Sequence, residues 1–429
     1  MTSFILTSFL ALTGFTQLSS STLTYPRQNN GSGSVATKCG PNTANIICID
    51  RYGSVLPPSF SRDSDPSVGY TGTVVPDDPS WSLVAAADFV VFDQERGLEL
   101  LGGAPKITKV FDVLNVIHEG PVYVPSENKL YVQQDGPPGN VSQLVIDLNV
   151  DPPTMSTFQT SPPTYQPNGG VYHDGKIYWT VMGNNVSLPG GVKQRPGIAV
   201  MDPATRKVET LLNNYYGFMF SGPNDLAIDT NGDIWFTDSD YAFGLFLDDV
   251  PKQTQLATYR FRPSTGQVTV VEDTLDHPNG IAFSPDGKTL YITDSGLESV
   301  GTNATEGQGN FYNYPIAINF ISTDKRNIYA YDVVGGDNPY LINKRVIWQA
   351  LEGAPDGLKV AENGYLVVAA GLAPGCDILD ANGTPLARIQ TKHAVENIAW
   401  TGENLTTLWL VGISGMTKVD FALKGPALD

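Results

Sequence analysis

Cysteine and histidine are scarce in this chain of 429 residues, with three of the former and four of the latter. Zinc sites draw on both residue types, so their shortage argues against zinc as the organising chemistry. Cys39 and Cys48 close a short loop and would bridge in an oxidising compartment, leaving Cys376 as a buried spectator. Charge is sparse too, at 16 %, and acids outnumber bases 44 to 26, for a net charge of −18. Such a surface repels nucleic-acid phosphates and anionic lipid and favours cations. The expected partner is a small-molecule substrate, with no nucleic acid and no membrane; a homodimer stays open. There is no Gly-x-Ser-x-Gly elbow, no His-Glu-x-x-His helix and no phosphate loop. The chain also lacks the long amphipathic helical patterns that a doubly wound α/β sheet needs.

What is abundant is glycine, at 43 residues, and proline, at 31, beside a hydrophobic content of 41 %. That mixture suits many short strands joined by tight turns around a large core. Met1 to Ser20 read as a secretory signal, an apolar run followed by small polar residues. Residues 21–85 are rich in Ser, Pro and Gly and read as a loosely packed extension before a domain spanning 86–429. Asn-x-Ser/Thr sequons begin at Asn30, Asn140, Asn185, Asn303, Asn382 and Asn404. The expected location is therefore outside the cell, with N-linked glycans.

One phrase recurs along the chain: a short polar residue, a small residue, alternating apolars, a turn and a second β run. The copies are HEGPVYVPSENKLYV from His118, PNGGVYHDGKIYWT from Pro167 and PNDLAIDTNGDIWFT from Pro223. PNGIAFSPDGKTLYIT from Pro278, PDGLKVAENGYLVV from Pro355 and ENIAWTGENLTTLWLV from Glu396 complete the set. Each reads as a β-hairpin with period-2 burial. Keyed on Glu119, Asn168, Asn224, Asn279, Asp356 and Asn397, they lie 49, 56, 55, 77 and 41 residues apart. About 50 residues per unit is the length of a four-stranded blade, so the expected fold is an all-β, six-bladed β-propeller. Phe89–Asp93 is the strand expected to complete the last blade and close the ring.

In a propeller the first strand of each blade lines the central channel. The six key residues then converge on one small volume and offer only carboxylate and amide oxygens. Hard oxygen donors suit Ca²⁺, with its six to eight flexible contacts. Asp229–Asp238, DTNGDIWFTD, has a misplaced glycine for a calcium-binding helix–loop–helix and reads as a hairpin turn.

PNDLAIDTNGDIWFTDSDY and HPNGIAFSPDGKTLYITDSG resemble the senescence-marker/gluconolactonase/luciferin-regenerating family. LLNNYYG, at Leu211–Gly217, is similar to its fungal secreted lactonohydrolases. The resemblance covers roughly residues 86–420. It implies calcium held by Glu119, Asn279 and Asp356, with Asn224 a ligand or a substrate contact. It implies a proton-transfer role for Asp225, with Asp356 or Glu119 as alternates. Asn168 stands where related paraoxonases carry a catalytic histidine, so that histidine mechanism does not transfer. The implied reaction is opening of a lactone, the carbonyl polarised by the metal and water activated by a carboxylate. His118 and His277 flank ring positions, where they could shuttle protons.

Three long connections open on the same face as the ring: Met182–Pro196, Ser239–Thr258 and Ser295–Arg326. Their aromatics give candidate pocket residues Tyr241, Phe243, Phe311 and Tyr312, beside Asn168, Asn397 and His277. So aromatic a wall keeps two other functions open, a natural-product cyclase of hetero-Diels–Alder type and a non-catalytic ligand-binding propeller.

Overall fold

Each copy of the repeated phrase folds as an antiparallel strand pair, and a second pair follows it outward. The computed structural model describes residues 34–428 apart from 65–67, 115, 136–138, 185–186, 189, 192, 245–246, 248–250, 297, 301–308, 312–313, 317 and 321–322. The segment read as a secretory signal and the sequons at Asn30, Asn185 and Asn303 lie outside the described residues.

Among the described residues, five four-stranded antiparallel sheets follow this plan, with inner strands His118–Val124, Pro167–His173, Pro223–Ile228, Pro278–Phe283 and Asn397–Thr401. A seven-stranded sheet begins with Leu358–Val360 and lies between the fourth and the last of these. Each inner strand packs beside the next, and Asn397–Thr401 returns to His118–Val124, so the fold is a β-propeller. The register of the inner pair shifts between Glu119 and Val122, Pro223 and Leu226, and Pro278 and Ile281. A bulge at the key position re-aims the side chain that follows a proline or opens the strand.

Apolar side chains from adjacent sheets interlock to form the core. Val122, Tyr131 and Phe158 of the first sheet, for example, meet Ile177, Trp179 and Met201 of the second. Ile234, Phe236, Tyr259 and Phe261 of the third meet Ile198 and Leu212. The turn in Asp229–Asp238 is a hairpin turn: the Asp229 carboxylate accepts from the backbone of Asn231 and Asp233 and from Trp235 Nε1.

Two expectations about the N-terminal part are corrected. The outer strand of the last sheet is Lys106–Phe111, paired with Gly415–Asp420. Phe89–Val91 joins the seven-stranded sheet, antiparallel to Pro385–Ala394 on one side and parallel to Ile46–Ile49 on the other. The physical reason is burial. FVV is fully buried, as a strand covered on both faces requires, whereas KITKVF is part-exposed and suits an edge. Residues 34–85 are also not loose. Ala36–Lys38 and Ile46–Ile49 extend the same sheet, and Trp81, Val84 and Val75 bury against Ile47, Val90 and Phe92. The Cys39–Cys48 disulfide is formed, with Cα atoms 5.8 Å apart, and Cys376 is free and buried.

Candidate active site

Repetition also builds the site. Thr180 Oγ1 donates to the Asn224 carbonyl at 2.6 Å, Thr237 to Asn279 at 2.6 Å and Thr293 to Asp356 at 3.0 Å. Each threonine is the last residue but one in the second strand of one blade and holds the key residue of the next. In two blades an aspartate and a serine follow it. Asp238 accepts from the backbone of Ser221 and Gly222, and Asp294 from that of Asp276 and His277. Ser239 donates to Pro278 O and Ser295 to Pro355 O. Thr-Asp-Ser thus clamps its own incoming loop and the neighbour's.

The clamps surround a cavity lined by Glu119, Asn168, Asn224, Asn279 and Asp356, as the repeat implies. Glu396 lines it too, and Asn397 does not. The sixth key residue is therefore Glu396, one position earlier than expected. Asn397 matches Asp225 instead: the side-chain Oδ1 of each accepts from the next backbone N–H, at 2.8 Å in both. A one-residue slip moves a strand side chain to the other face, which is why the register matters.

Asp135 and Glu298 join the ring acids, and Ile117, Met182, Tyr241, Leu247 and Leu372 supply the remaining wall. Sequence reasoning missed Asp135, Glu298 and Glu396. Only Glu396 carried a usable signal, its alignment with Asn224 in the repeat.

Five carboxylates therefore line this cavity with no basic side chain among its described lining residues. Burial pushes Glu119 up to about 8, helped by the charges of Glu396 and Asp225 and opposed by bonds from Gly120 N and Asn397. Burial likewise lifts Asp135 to about 7, and lifts Glu298 to about 7 with Glu396 adding. Asp356 is held well above the carboxylate range by burial and by Glu119 and Glu396, and it hydrogen-bonds Glu396. Glu396 also accepts from Leu372 N, which anchors that stretch of the wall.

Two buried side-chain oxygens here have no hydrogen-bond partner, Asn279 Oδ1 and Asp356 Oδ1. The Asn279 amide nitrogen is occupied, donating to Ser295 Oγ at 3.2 Å, so its oxygen is the atom left over. Among the described residues no three Asp, Glu, His or Cys side chains converge as an ion-holding group. A set of two carboxylates and two amides does not need such a trio, and unsatisfied oxygens facing surplus negative charge fit a hard cation.

The other candidates are placed apart. Asp225 is fully buried beneath the cavity, with Lys359 Nζ 3.4 Å from its Oδ2. His118 is sealed, its Nδ1 paired with Gly412 O at 2.9 Å, and burial lowers its basicity. His277 Nε2 meets Asp240 Oδ1 at 3.0 Å, and its ring stacks on Tyr241 from outside the cavity lining. Phe243 is half-buried and absent from the lining. Tyr312 and the side chain of Phe311 lie outside the described residues.

Comparison with known proteins fixes the family. The model of the SMP-30/gluconolactonase/LRE-like region matches residues 117–310 and 317–414. The chain belongs to that family. As a lactonase-like hydrolase of this SMP-30/gluconolactonase group, it is 42 % identical over 400 residues to lactonohydrolase oryL of Aspergillus oryzae, covering 91 % of this chain and 88 % of that protein. Lactonohydrolase oryH of the same organism is 36 % identical over 457 residues, covering 94 % and 96 %. A solved gluconolactonase from Xanthomonas campestris shares the fold, with a TM-score of 0.59 at 21 % identity over 77 % of this chain and 94 % of that one.

Proposed function

We propose that this enzyme is a secreted, calcium-dependent lactone hydrolase built on six blades. In this reading the seven-stranded sheet is a sixth blade that carries three extra N-terminal strands on its outer edge. The observation that carries the calcium reading is the pair of orphaned oxygens, Asn279 Oδ1 and Asp356 Oδ1, among five buried carboxylates. Glu119, Asn224, Asn279 and Asp356 would hold the ion, and its chemistry there is Lewis-acid polarisation of an ester carbonyl. The lactone reading is supported by the relatives named lactonohydrolase, with which the chain aligns over nearly its whole length.

The residues divide the remaining work. Met182, Leu247 and Leu372 give the cavity an apolar flank that takes the ring of a cyclic ester and limits bulk water. Glu298 is the carboxylate that takes a proton from the attacking water, because it lines the cavity outside the ring and burial holds its pKa at about 7. Tyr241 OH donates to Glu298 Oε2 at 3.0 Å and fixes that carboxylate. Asp225, the expected base, does not line the cavity and is tied to Lys359 and to Leu226 N.

Secretion is supported by the Cys39–Cys48 bridge and by exposed sequon residues Asn382 and Asn404. The test is proton release from a panel of aldonolactones and aromatic lactones, with calcium and with chelator, on wild type and Glu298→Gln. Calcium-dependent turnover that falls at least about 100-fold in the variant, with calcium binding intact, is expected. Inert lactones throughout the panel would sink the hydrolase reading.

A further inference from the structure

Three layers of the inner strands cross the axis. The ring position comes first. One residue on stand Gly120, Gly169, Asp225, Gly280, Gly357 and Asn397. Three residues on stand Val122, Val171, Ala227, Ala282, Lys359 and Ala399. The glycines leave room for the two larger side chains of their layer. A Cβ on Gly169 would sit 2.2 Å from Asp225 Oδ1, and one on Gly357 would sit 2.3 Å from the Asn397 amide carbon. Lys359 is the one charged member of an otherwise small, apolar layer, and it comes from the opposite mouth of the channel.

These odd residues touch in sequence across the axis. Lys359 Nζ lies 3.4 Å from Asp225 Oδ2. The Asp225 carboxylate accepts from the Asn397 amide, whose Nδ2 also donates to Glu119 Oε2 at 2.9 Å. The Asn397 oxygen is occupied by Ile398 N, so the amide cannot turn without losing a bond. Glu119 Oε2 is held a second time by Gly120 N, which leaves Oε1 unengaged by this chain of bonds.

We infer that Lys359 is a positioning residue for metal binding: from the far mouth it holds Asp225, Asp225 holds the Asn397 amide, and that amide orients the Glu119 carboxylate toward the cavity. The inference rests on the proposed calcium site. Lys359 holds the Asp225 carboxylate in place at 3.4 Å. Without it, Asp225 loses its partner and shifts, the Asn397 amide moves with it, and Glu119 loses the bond that orients it. Outer partners that orient a ligand in this way are typically worth 10-fold or more in metal affinity.

Two mechanisms predict opposite signs. Through space alone, removing a positive charge near the site would tighten calcium binding. Through the bonded chain, removing it weakens binding. Isothermal calorimetry of calcium on the full chain separates them. Lys359→Met is expected to weaken binding about 10-fold. Lys359→Arg should restore most of the affinity, and Lys359→Met should add nothing in an Asn397→Ala background. Should the single variant not fold, Lys359→Met with Asp225→Asn leaves no unpaired charge and is expected to weaken binding similarly. Unchanged or tighter binding in Lys359→Met would overturn the inference while Glu119→Gln still abolished binding. A wild-type chain that binds no calcium would instead remove the metal reading and this inference with it.

Discussion

The two mouths of the central channel are made from the same inner strands yet differ in almost every property. One is the cavity with its five carboxylates. The other is a larger recess, lined by Val122, Val171, Leu226, Ile281, Trp400 and the single lysine, Lys359. Between them lies a floor of glycines interrupted by Asp225 and Asn397. The difference teaches where the sequence concentrates chemistry. The apolar mouth carries ordinary strand residues that contribute packing. The acidic mouth gathers like charges at a cost in stability that only bound protons or a cation can offset.

The largest expected effect strikes the acidic mouth directly. Asp356→Asn removes one of two ring carboxylates among the proposed ligands and should weaken calcium by at least about 100-fold in calorimetry. Val171→Ala, in the apolar mouth, should leave calcium affinity unchanged. Equal losses in both would mean the mouths are not functionally distinct.

A pH series sharpens the same contrast. In the metal-free protein Glu119 sits at about 8 and Asp135 and Glu298 at about 7. Unfolded carboxylates titrate near 4, so the folded state binds protons that the unfolded chain releases. The stabilisation from these groups is fully present below about pH 4 and is lost as pH rises through 7 to 8. Calcium replaces the protons. The melting-temperature gap between calcium-loaded and chelated protein should therefore widen from pH 5 to pH 8. A gap that narrowed over this range would contradict the placement of these acids around the ion.

The floor between the mouths should respond more through stability than through charge. On Gly169 an added Cβ would lie 2.2 Å from Asp225 Oδ1 and 2.6 Å from Asn224 O. Gly169→Ala should cost about 2–3 kcal/mol by overpacking. At Gly103 nothing lies within 4 Å of such a Cβ, so Gly103→Ala should be nearly neutral. Thermal melts of both variants make the comparison, and equal melting temperatures would argue against a packed floor.

How much of this was readable beforehand follows from where each residue sits in the repeat. Glu119, Asn168, Asn224, Asn279 and Asp356 share a phrase whose turn and alternation are local, and local patterns can be aligned by eye. The sixth copy has neither the leading proline nor the following glycine, at least one of which marks every other copy, so ENIAW could be set one residue out, exchanging Glu396 for Asn397. Glu298 and Asp135 lie beyond the second strands, where chain direction is set by contacts with other blades rather than by nearby sequence. Lys359 in PDGLKV looks like an ordinary solvated lysine. Only the closed ring shows that its neighbours in the layer are valine and alanine. Phe89–Val91 was recognisable as a strand, but its partner was a question of burial on two faces, which three apolar residues do not reveal alone.

The smallest expected effect tests whether the clamps, rather than the floor, hold the acidic mouth in shape. Thr237 is fully buried, and its hydroxyl donates to Asn279 O and accepts from Asp225 N at 3.1 Å. Valine has nearly the same shape without the hydroxyl, so Thr237→Val leaves a buried carbonyl and a buried N–H unsatisfied. The expected cost is about 1–3 kcal/mol in chemical denaturation. Because Asn279 is a proposed ligand, calcium affinity should fall by a few-fold as well, from about 1 kcal/mol of lost orientation. Thr258 is also buried, but its Oγ1 makes no hydrogen bond and it lies in the third strand of its sheet. Thr258→Val should therefore be neutral or slightly stabilising and leave calcium binding alone. If both valines behaved alike in denaturation and calorimetry, the threonines of the inner pair would be packing residues, and the shape of the acidic mouth would have to come from the bulges alone.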